Sequence, residues 1–340
     1  MQTNREPTAE DKVSALLRAE AYPDKPAAVE AIQTHFAWIF LTEEHAYKMK
    51  KAMRAPGFDL TDLGARHQTC LAELRLNRRL APEVYLEVVP LTLDENGALK
   101  IHGRGRAVEW LVKMRRLSRD LFLDVAIEKG TVTKAAVQGV AAMLADFYVS
   151  QPNAKLDPDA YRARVAAQVE QNVLALASPA LHLAQRSVTE LGRLQRCALD
   201  LLSGEIKDRA RPAHVIEAHG DLRPEHIYLG TPHCVIDCLE FSYDLRLFDP
   251  FEEIAYLAVE CGQAGHEWIA DRVADAYRTR SGDSISSRLM NFYKSNRAAT
   301  RAKIIGWHLL DDELRSLQPW SQIAQKYLDL ALLHASEAET

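Results

Sequence analysis

The sequence predicts an α+β protein in two lobes: a small N-terminal lobe built on an antiparallel sheet with one helix, and a large, mainly helical C-terminal lobe. Three observations carry this prediction. A length of 340 residues exceeds the usual size of one compact domain. Strand-like runs are concentrated in the first third of the chain, and helical spacing takes over after Met114. At 47% apolar and 26% charged residues, the chain can bury a sizeable core without staples.

In chain order, Val13, Leu16 and Leu17 give helical spacing over about residues 8–20, and Pro23 and Pro26 then break the pattern. From Ile32 to Leu41 the residues turn β-branched and aromatic, Glu43-Glu44 make a turn, and HAYKMKK alternates, which reads as a β-hairpin. A helix is predicted over about 64–80, closed by Ala81-Pro82. Two further strands, VYLEVVPLTL and AVEWLVKM, are separated by the turn-rich DENGALKIHGRGR.

Beyond Met114, Val165, Val169 and Val173 fall on one helix face, and helical spacing continues over 180–205, 250–262, 265–280, 286–310 and 320–336. Among these helices, HIYL and HCVIDC read as the strands of a small hairpin. The lobes are therefore expected at 1–115 and 116–340.

Several function classes are excluded. A net charge of -5 argues against a dedicated nucleic-acid binder. The opening MQTNREPTAEDK lacks the apolar core of a signal peptide. No run approaches the roughly 18 apolar residues of a membrane span, so no membrane partner is expected and the cytoplasm is the simplest compartment. The five cysteines form no C-x-x-C pair, hence neither a disulfide framework nor a zinc knuckle.

The chemistry concentrates in His219-Gly220-Asp221-Leu222-Arg223-Pro224-Glu225-His226 and, shortly after it, Val235-Ile236-Asp237-Cys238-Leu239-Glu240-Phe241. A His-x-Asp loop, a strand hairpin and a second aspartate present two carboxylates at the ends of short strands. Carboxylates suit Mg²⁺, which takes hard oxygen ligands and completes its shell with phosphate oxygens and water. One carboxylate can orient a hydroxyl while the other holds the metal, the division that phosphoryl transfer requires.

HGDLRPEH resembles the catalytic loop of the aminoglycoside phosphotransferase-like branch of the protein-kinase superfamily, H-G-D-x-x-x-x-N, and VIDCLEF resembles its metal-binding I-D-F segment. With THFAWIFLTEEHAYKMKK and ELRLNRRLAP, the likeness extends over about residues 25–310, and it is closest to a bacterial subfamily of aminoglycoside phosphotransferase family proteins. Some members of that subfamily carry an extra P-loop ATPase domain. With no G-x-x-x-x-G-K-[ST] motif, this chain is expected to be the stand-alone form.

The resemblance implies a protein-kinase-like fold and an ATP-dependent phosphotransferase acting on the hydroxyl of a small molecule, with Mg²⁺ or Mn²⁺. Asp221 would orient the acceptor hydroxyl, His219 would support the loop, and Arg223 would stabilise charge on the transferred phosphoryl group. Asp237 would be the chief metal ligand. Ala46-Tyr47-Lys48 resembles the A-x-K of the third kinase strand, with Ala46 beneath adenine and Lys48 on the phosphates. Alternation puts Lys50 on the same face as Lys48, as the runner-up. Glu73 would partner the lysine, and Met114 and Arg115 would offer backbone to the adenine edge.

One position departs from the pattern: His226 stands where the family has the Asn that serves a second metal. Neutral imidazole is a poor Mg²⁺ ligand, so Glu240 is expected to help hold that metal. A catalytically silent nucleotide-binding protein is the second functional reading. The bland alternatives are a solvated Lys48, a helix-surface Glu73 pairing with Asn77 or Arg66, and a solvated face bearing Arg297, Arg301 and Lys303. Asp249 reads as a helix N-cap, and the resemblance implies that it also braces the catalytic loop. Residues 125–210 and 250–340, where acceptor specificity would lie, contain no motif that names a substrate.

Overall fold

The computed structural model describes residues 5–55, 58–211, 214–310 and 315–339. By internal packing the chain forms two units, residues 1–125 with 230–245 and residues 126–229 with 246–340. The segment 230–245, which carries Asp237 and Glu240, thus belongs with the N-terminal sheet, although the sequence reading grouped it with the helical part.

The first unit opens with α1 (Ala9–Leu16), which starts on a reciprocal capping box: Thr8 Oγ1 accepts from the Asp11 amide at 3.1 Å, and the Asp11 carboxylate accepts from the Thr8 amide at 2.9 Å. Its strands are β1 (Glu30–Gln33), β2 (Ala37–Leu41), β3 (His45–Lys50), a small β4 (Arg54–Ala55) and β5 (Phe58–Asp59) pair, β6 (Tyr85–Leu93), β7 (Leu99–Ile101) and β8 (Arg106–Arg115). Helix α2 (Leu63–Asn77) lies between β5 and β6 in sequence. Six strands make one antiparallel sheet in the order β1-β2-β3-β8-β6-β7.

The predicted hairpin is β2–β3, with Ile39 opposite Lys48. The run from Ile32 to Leu41 is not one strand, however. It breaks at Thr34, whose hydroxyl accepts from the Ala37 amide at 3.0 Å and closes a turn between β1 and β2. The connection before β8 likewise contains the short strand β7.

Strand alternation sorts the β3 side chains. Tyr47 and Met49 join Phe40, Val89, Leu91 and Leu111 in a core completed by Leu16 and Tyr22. Each such fully buried large apolar side chain stabilises by roughly 1.5–3 kcal/mol. Ala46, Lys48 and Lys50 face the other way, toward α2, which packs on β6 and β8. Arg66 of α2 is buried and holds Glu109 of β8 through two bonds at 2.8 and 2.9 Å, so it does not pair with Glu73.

The division between the units falls within α3 (Leu123–Glu128). The second unit contains α4 (Lys134–Ser150), α5 (Pro158–Leu176), α6 (Gln185–Leu201), α7 (Ser203–Arg209), β9 (Ile216–Glu217) and β10 (Ile227–Tyr228). The chain then visits the first unit, where β11 (Cys234–Val235) lies. It returns with β12 (Leu247–Phe248), α8 (Pro250–Gln263), α9 (Trp268–Ser281), α10 (Ser287–Trp307) and α11 (Trp320–Glu339). Leu176, Leu191, Ala298, Ala302, Leu328 and Ala331 anchor its core. Among the described residues, no helix is long and apolar enough to cross a membrane.

The solvated-face reading of α10 is overturned. Arg297 and Lys303 are buried, and Arg301 keeps only 18% of its side chain exposed. Arg297 pairs with the buried Glu252 at 3.1 Å and lies 3.8 Å from the centre of the Phe248 ring. Charge is tolerated there because ion pairing and a cation–π contact replace water.

Candidate functional site

In the first unit, five charged side chains form an alternating chain. Lys48 Nζ donates to Asp237 Oδ1 at 2.6 Å and to Glu73 Oε1 at 2.9 Å. Lys50 Nζ donates to the other Glu73 oxygen at 2.5 Å and to Glu240 Oε1. Glu73 is fully buried, which excludes a helix-surface role, and Lys48 is held by two carboxylates rather than solvated. The two ends of the chain differ in access: the Lys50 side chain is 2% exposed and that of Lys48 13%, while Asp237, at the Lys48 end, is 43% exposed.

Burial alone would lower the Lys48 pKa, but Asp237 and Glu73 more than reverse it and keep the ammonium charged. Burial raises Glu73, yet Lys48 and Lys50 outweigh it and hold the carboxyl below its ordinary value. At Glu240 burial prevails over the pull of Lys50, and the carboxyl is raised.

The Asp237 backbone adopts a left-handed conformation, with φ of 63°. That conformation is rare outside glycine and costs on the order of 1–3 kcal/mol. Two tethers oppose the strain: the Asp237 amide donates to Tyr85 Oη at 3.0 Å, and the Cys238 amide donates to Asn77 Oδ1 at 2.9 Å. Asn77 in turn donates to the Glu73 carbonyl at 2.9 Å, so α2 supplies both the carboxylate and the backbone anchor. Nothing in the sequence around Tyr85 marks it as a site residue. Asn77 was weighed only as a surface partner of Glu73, although it follows Glu73 by one helical turn on the same face.

Ala46 pairs with Met114, and His45 with Arg115, across the β3–β8 ladder. The Arg115 amide donates to the Val84 carbonyl at 2.8 Å.

In the second unit, His219 is fully buried just after β9, and its Nδ1 accepts from the Asp221 amide at 3.2 Å. Gly220, at φ of 91°, donates its amide to Glu253 of α8 at 2.5 Å. The Asp221 carboxylate is ion-paired with Arg223 Nε at 2.9 Å. Burial works against this carboxylate, but Arg223, then His226, His219 and Arg301, hold its pKa below the ordinary value. His226 Nδ1 lies 2.8 Å from the Asp221 carbonyl, and Arg223 Nη2 lies 3.3 Å from His226 Nε2. Nδ1 is therefore the protonated nitrogen and Nε2 the acceptor, so both are engaged within the loop. Arg301 pairs with Glu260 at 3.1 Å and lies 4.0 Å from Glu225, which also holds Arg223.

Asp249 is an N-cap, accepting from the Phe251 amide at 3.0 Å, and Arg209 and Tyr293 hold its carboxylate at 2.5 and 3.1 Å. The contact from α8 to the loop backbone comes instead from Glu253, which the sequence reading did not single out.

Among the described residues, no three His, Cys, Asp or Glu side chains form a ready-made metal site. Asp237 fits the demands of Mg²⁺ as a half-exposed, hard-oxygen donor, since Mg²⁺ is commonly held by one or two carboxylates plus phosphate oxygens.

Solved structures that superimpose on most of this chain decide the fold. A choline/ethanolamine kinase family protein from Mesorhizobium loti matches 97% of this chain and 99% of its own at a TM-score of 0.55 and 14% identity. The fold is protein-kinase-like. A thermostable mutant of aminoglycoside phosphotransferase APH(4)-Ia matches this chain over 92% of its length and 96% of the mutant's, at a TM-score of 0.51 and 13% identity. Glucosamine kinase matches at 0.50 and 15%, over 97% of this chain and 84% of its own. Uncharacterised proteins of Mycobacterium tuberculosis and Mycobacterium bovis are 29% identical over 293 residues. That alignment takes in 84% of this chain but 56% of each mycobacterial protein, so the chain spans little more than half the length of these relatives. No family model matches the sequence.

Proposed function

We propose that the chain is an ATP-dependent phosphotransferase that moves the γ-phosphoryl group onto a hydroxyl of a small molecule. The observation that carries this reading is the Asp237–Lys48–Glu73 arrangement: an accessible carboxylate strained into place beside an ammonium whose other partner is a buried carboxylate.

In this reading Lys48, not the sealed Lys50, contacts phosphate, and Glu73 aims it. Ala46 and Met114, neighbours across two strands, offer the apolar surface for adenine. With the Arg115 amide committed to Val84, that residue's backbone has no donor left for the adenine edge. Asp237 would hold Mg²⁺ or Mn²⁺, which when bound neutralises phosphate charge. Asp221 in the second unit orients the acceptor hydroxyl and takes its proton, Arg223 moves from Asp221 to the transferred charge, and buried His219 keeps the loop in shape.

The names of the solved kinase relatives support a small-molecule acceptor. Arg223 and Arg301 beside Glu225 and Glu260 make a charge-balanced surrounding for Asp221, unlike the acidic pocket a polycationic aminoglycoside wants. One observation favours a silent nucleotide-binding protein instead: His226 stands in the second-metal position with both ring nitrogens engaged.

The test is ATP binding and slow hydrolysis by the purified protein with Mg²⁺ or Mn²⁺, alongside Asp221→Asn and Asp237→Ala. The proposal expects ATP with metal to stabilise the wild type, Asp237→Ala to abolish that gain, and Asp221→Asn to bind without turnover. Binding with no turnover in the wild type under either metal selects the silent reading, and no binding at all removes both.

A further inference from the structure

We infer that Lys50 and Glu240 are positioning residues, which fasten the segment bearing Asp237 to the sheet and so hold the Asp237 carboxylate in register for its ligand. What Asp237 does rests on the phosphotransferase reading above; how it is held does not.

Lys50 is the wrong residue for a ligand contact. Its side chain is 2% exposed and its ammonium is bonded to two carboxylates, Glu73 on α2 and Glu240 three residues beyond Asp237. A charge so buried is tolerated only when paired and bonded. Glu240 is equally enclosed, with 4% of its side chain exposed. It is thereby committed to Lys50 and turned from the metal-ligand role the sequence reading gave it.

The surroundings strengthen the pair. Phe241 stacks on Phe58 with ring centres 4.4 Å apart and packs against Phe36 at 5.4 Å. Lys50 Nζ lies 5.5 Å from the centre of the Phe241 ring. With water kept out, the local dielectric falls and the attraction between Lys50 and its carboxylates rises.

The segment is therefore anchored at the aspartate and again just after it. Tyr85 and Asn77 grip the amides at 237 and 238, and Lys50 grips the side chain at 240. Residue 237 sits in a conformation that relaxes when let go. Removing the 240 anchor shifts the load onto the amide bonds to Tyr85 and Asn77 and the Lys48–Asp237 ion pair. The two lysines of β3 thus divide the work: Lys48 pairs with the half-exposed Asp237, and Lys50 secures the chain that carries Asp237.

The test uses the full chain in two variants, Glu240→Gln and the double variant Lys50→Met with Glu240→Met. The double variant removes both charges at once, so that no buried ion is stranded and folding is preserved. Amide hydrogen exchange is read residue by residue without nucleotide. Exchange at Asp237 and Cys238 is expected to quicken about tenfold or more, while Val112 of β8 keeps its protection. The Mg²⁺ concentration needed for half-maximal stabilisation by ATP is expected to rise by a similar factor, with full stabilisation recovered at saturating Mg²⁺.

Unchanged exchange at 237 and 238 in both variants overturns the inference, as does a uniform rise across the first unit, which marks a merely structural pair. Faster exchange with an unaltered Mg²⁺ requirement also overturns it, because the fastening then serves no ligand. A wild type that ignores ATP removes the phosphotransferase reading alone, and the exchange result still decides the fastening.

Discussion

Replacing Glu73 by Gln keeps the shape of the side chain and removes one charge from between two buried lysines. Glu73 is fully buried and bonds Lys48 at 2.9 Å and Lys50 at 2.5 Å. At an effective dielectric near 20, each contact carries about 6 kcal/mol of Coulomb attraction, most of it offset by desolvation. Breaking a buried pair by removing one partner costs about 3–5 kcal/mol. At roughly 2–4 °C per kcal/mol, the melting transition should fall by about 10 °C. Urea unfolding at pH 7 measures the free energy, with Trp38 and Trp110 as fluorescent reporters in the first unit.

The dependence on pH separates the charge from the shape. The folded Glu73 pKa lies below its ordinary value of 4.5, so its contribution is present above that value and lost as pH falls through the depressed one. The gap between wild type and variant should be flat from about pH 5 to 8 and close on acidification. A gap below about 1 kcal/mol at pH 7, or one that persists undiminished at pH 3, would refute the charged-chain account.

Other sites give sharper, smaller signals. Glu253→Ala leaves the Gly220 amide buried without its acceptor, which should cost about 1–3 kcal/mol and expose that amide to rapid hydrogen exchange. Arg209→Met strands Asp249 and Asp283, which Arg209 holds at 2.5 Å each, and should cost about 3–5 kcal/mol in urea unfolding. Arg209, then His214, outweighs burial and depresses the Asp283 carboxyl, so part of that loss is present above its ordinary 3.8 and vanishes as pH falls below it. Lys303→Met should do the opposite and stabilise. Burial, with Arg297 nearby, lowers the Lys303 ammonium from 10.5 to about 8, so its charge penalises the folded state at pH 7. The variant should gain about 2 kcal/mol at pH 7, and the gain should disappear as pH rises from about 8 to 10.5.

What could be read from sequence followed from periodicity and from local signals. The β2–β3 hairpin announced itself through alternation around Glu43-Glu44, and α2 through its spacing and the proline after it. The break at Thr34 was hidden because strand-forming residues continue through it, and a single hydroxyl makes the turn. Period-two alternation put Lys48 and Lys50 on one face but could not pair Lys50 with Glu240, which is 190 residues further along the chain. Glu253 looked like one more acid in the first turn of a helix, where the helix dipole favours it anyway; its bond to Gly220 is tertiary. Arg297 and Lys303 look solvated on a helical wheel; for Arg297 it is Glu252 and Phe248, brought in from elsewhere in the fold, that explain the burial.

The placement of residues 230–245 has a consequence for synthesis. The chain leaves the first unit after residue 125 and comes back for sixteen residues only after 229. When the N-terminal sheet emerges from the ribosome, Lys48 and Lys50 have Glu73 but not Asp237 or Glu240, and at about 5–20 residues per second the wait lasts many seconds. An N-terminal fragment ending near residue 125 therefore lacks part of its own core, and supplying the 230–245 stretch as a separate peptide is the natural way to complete it.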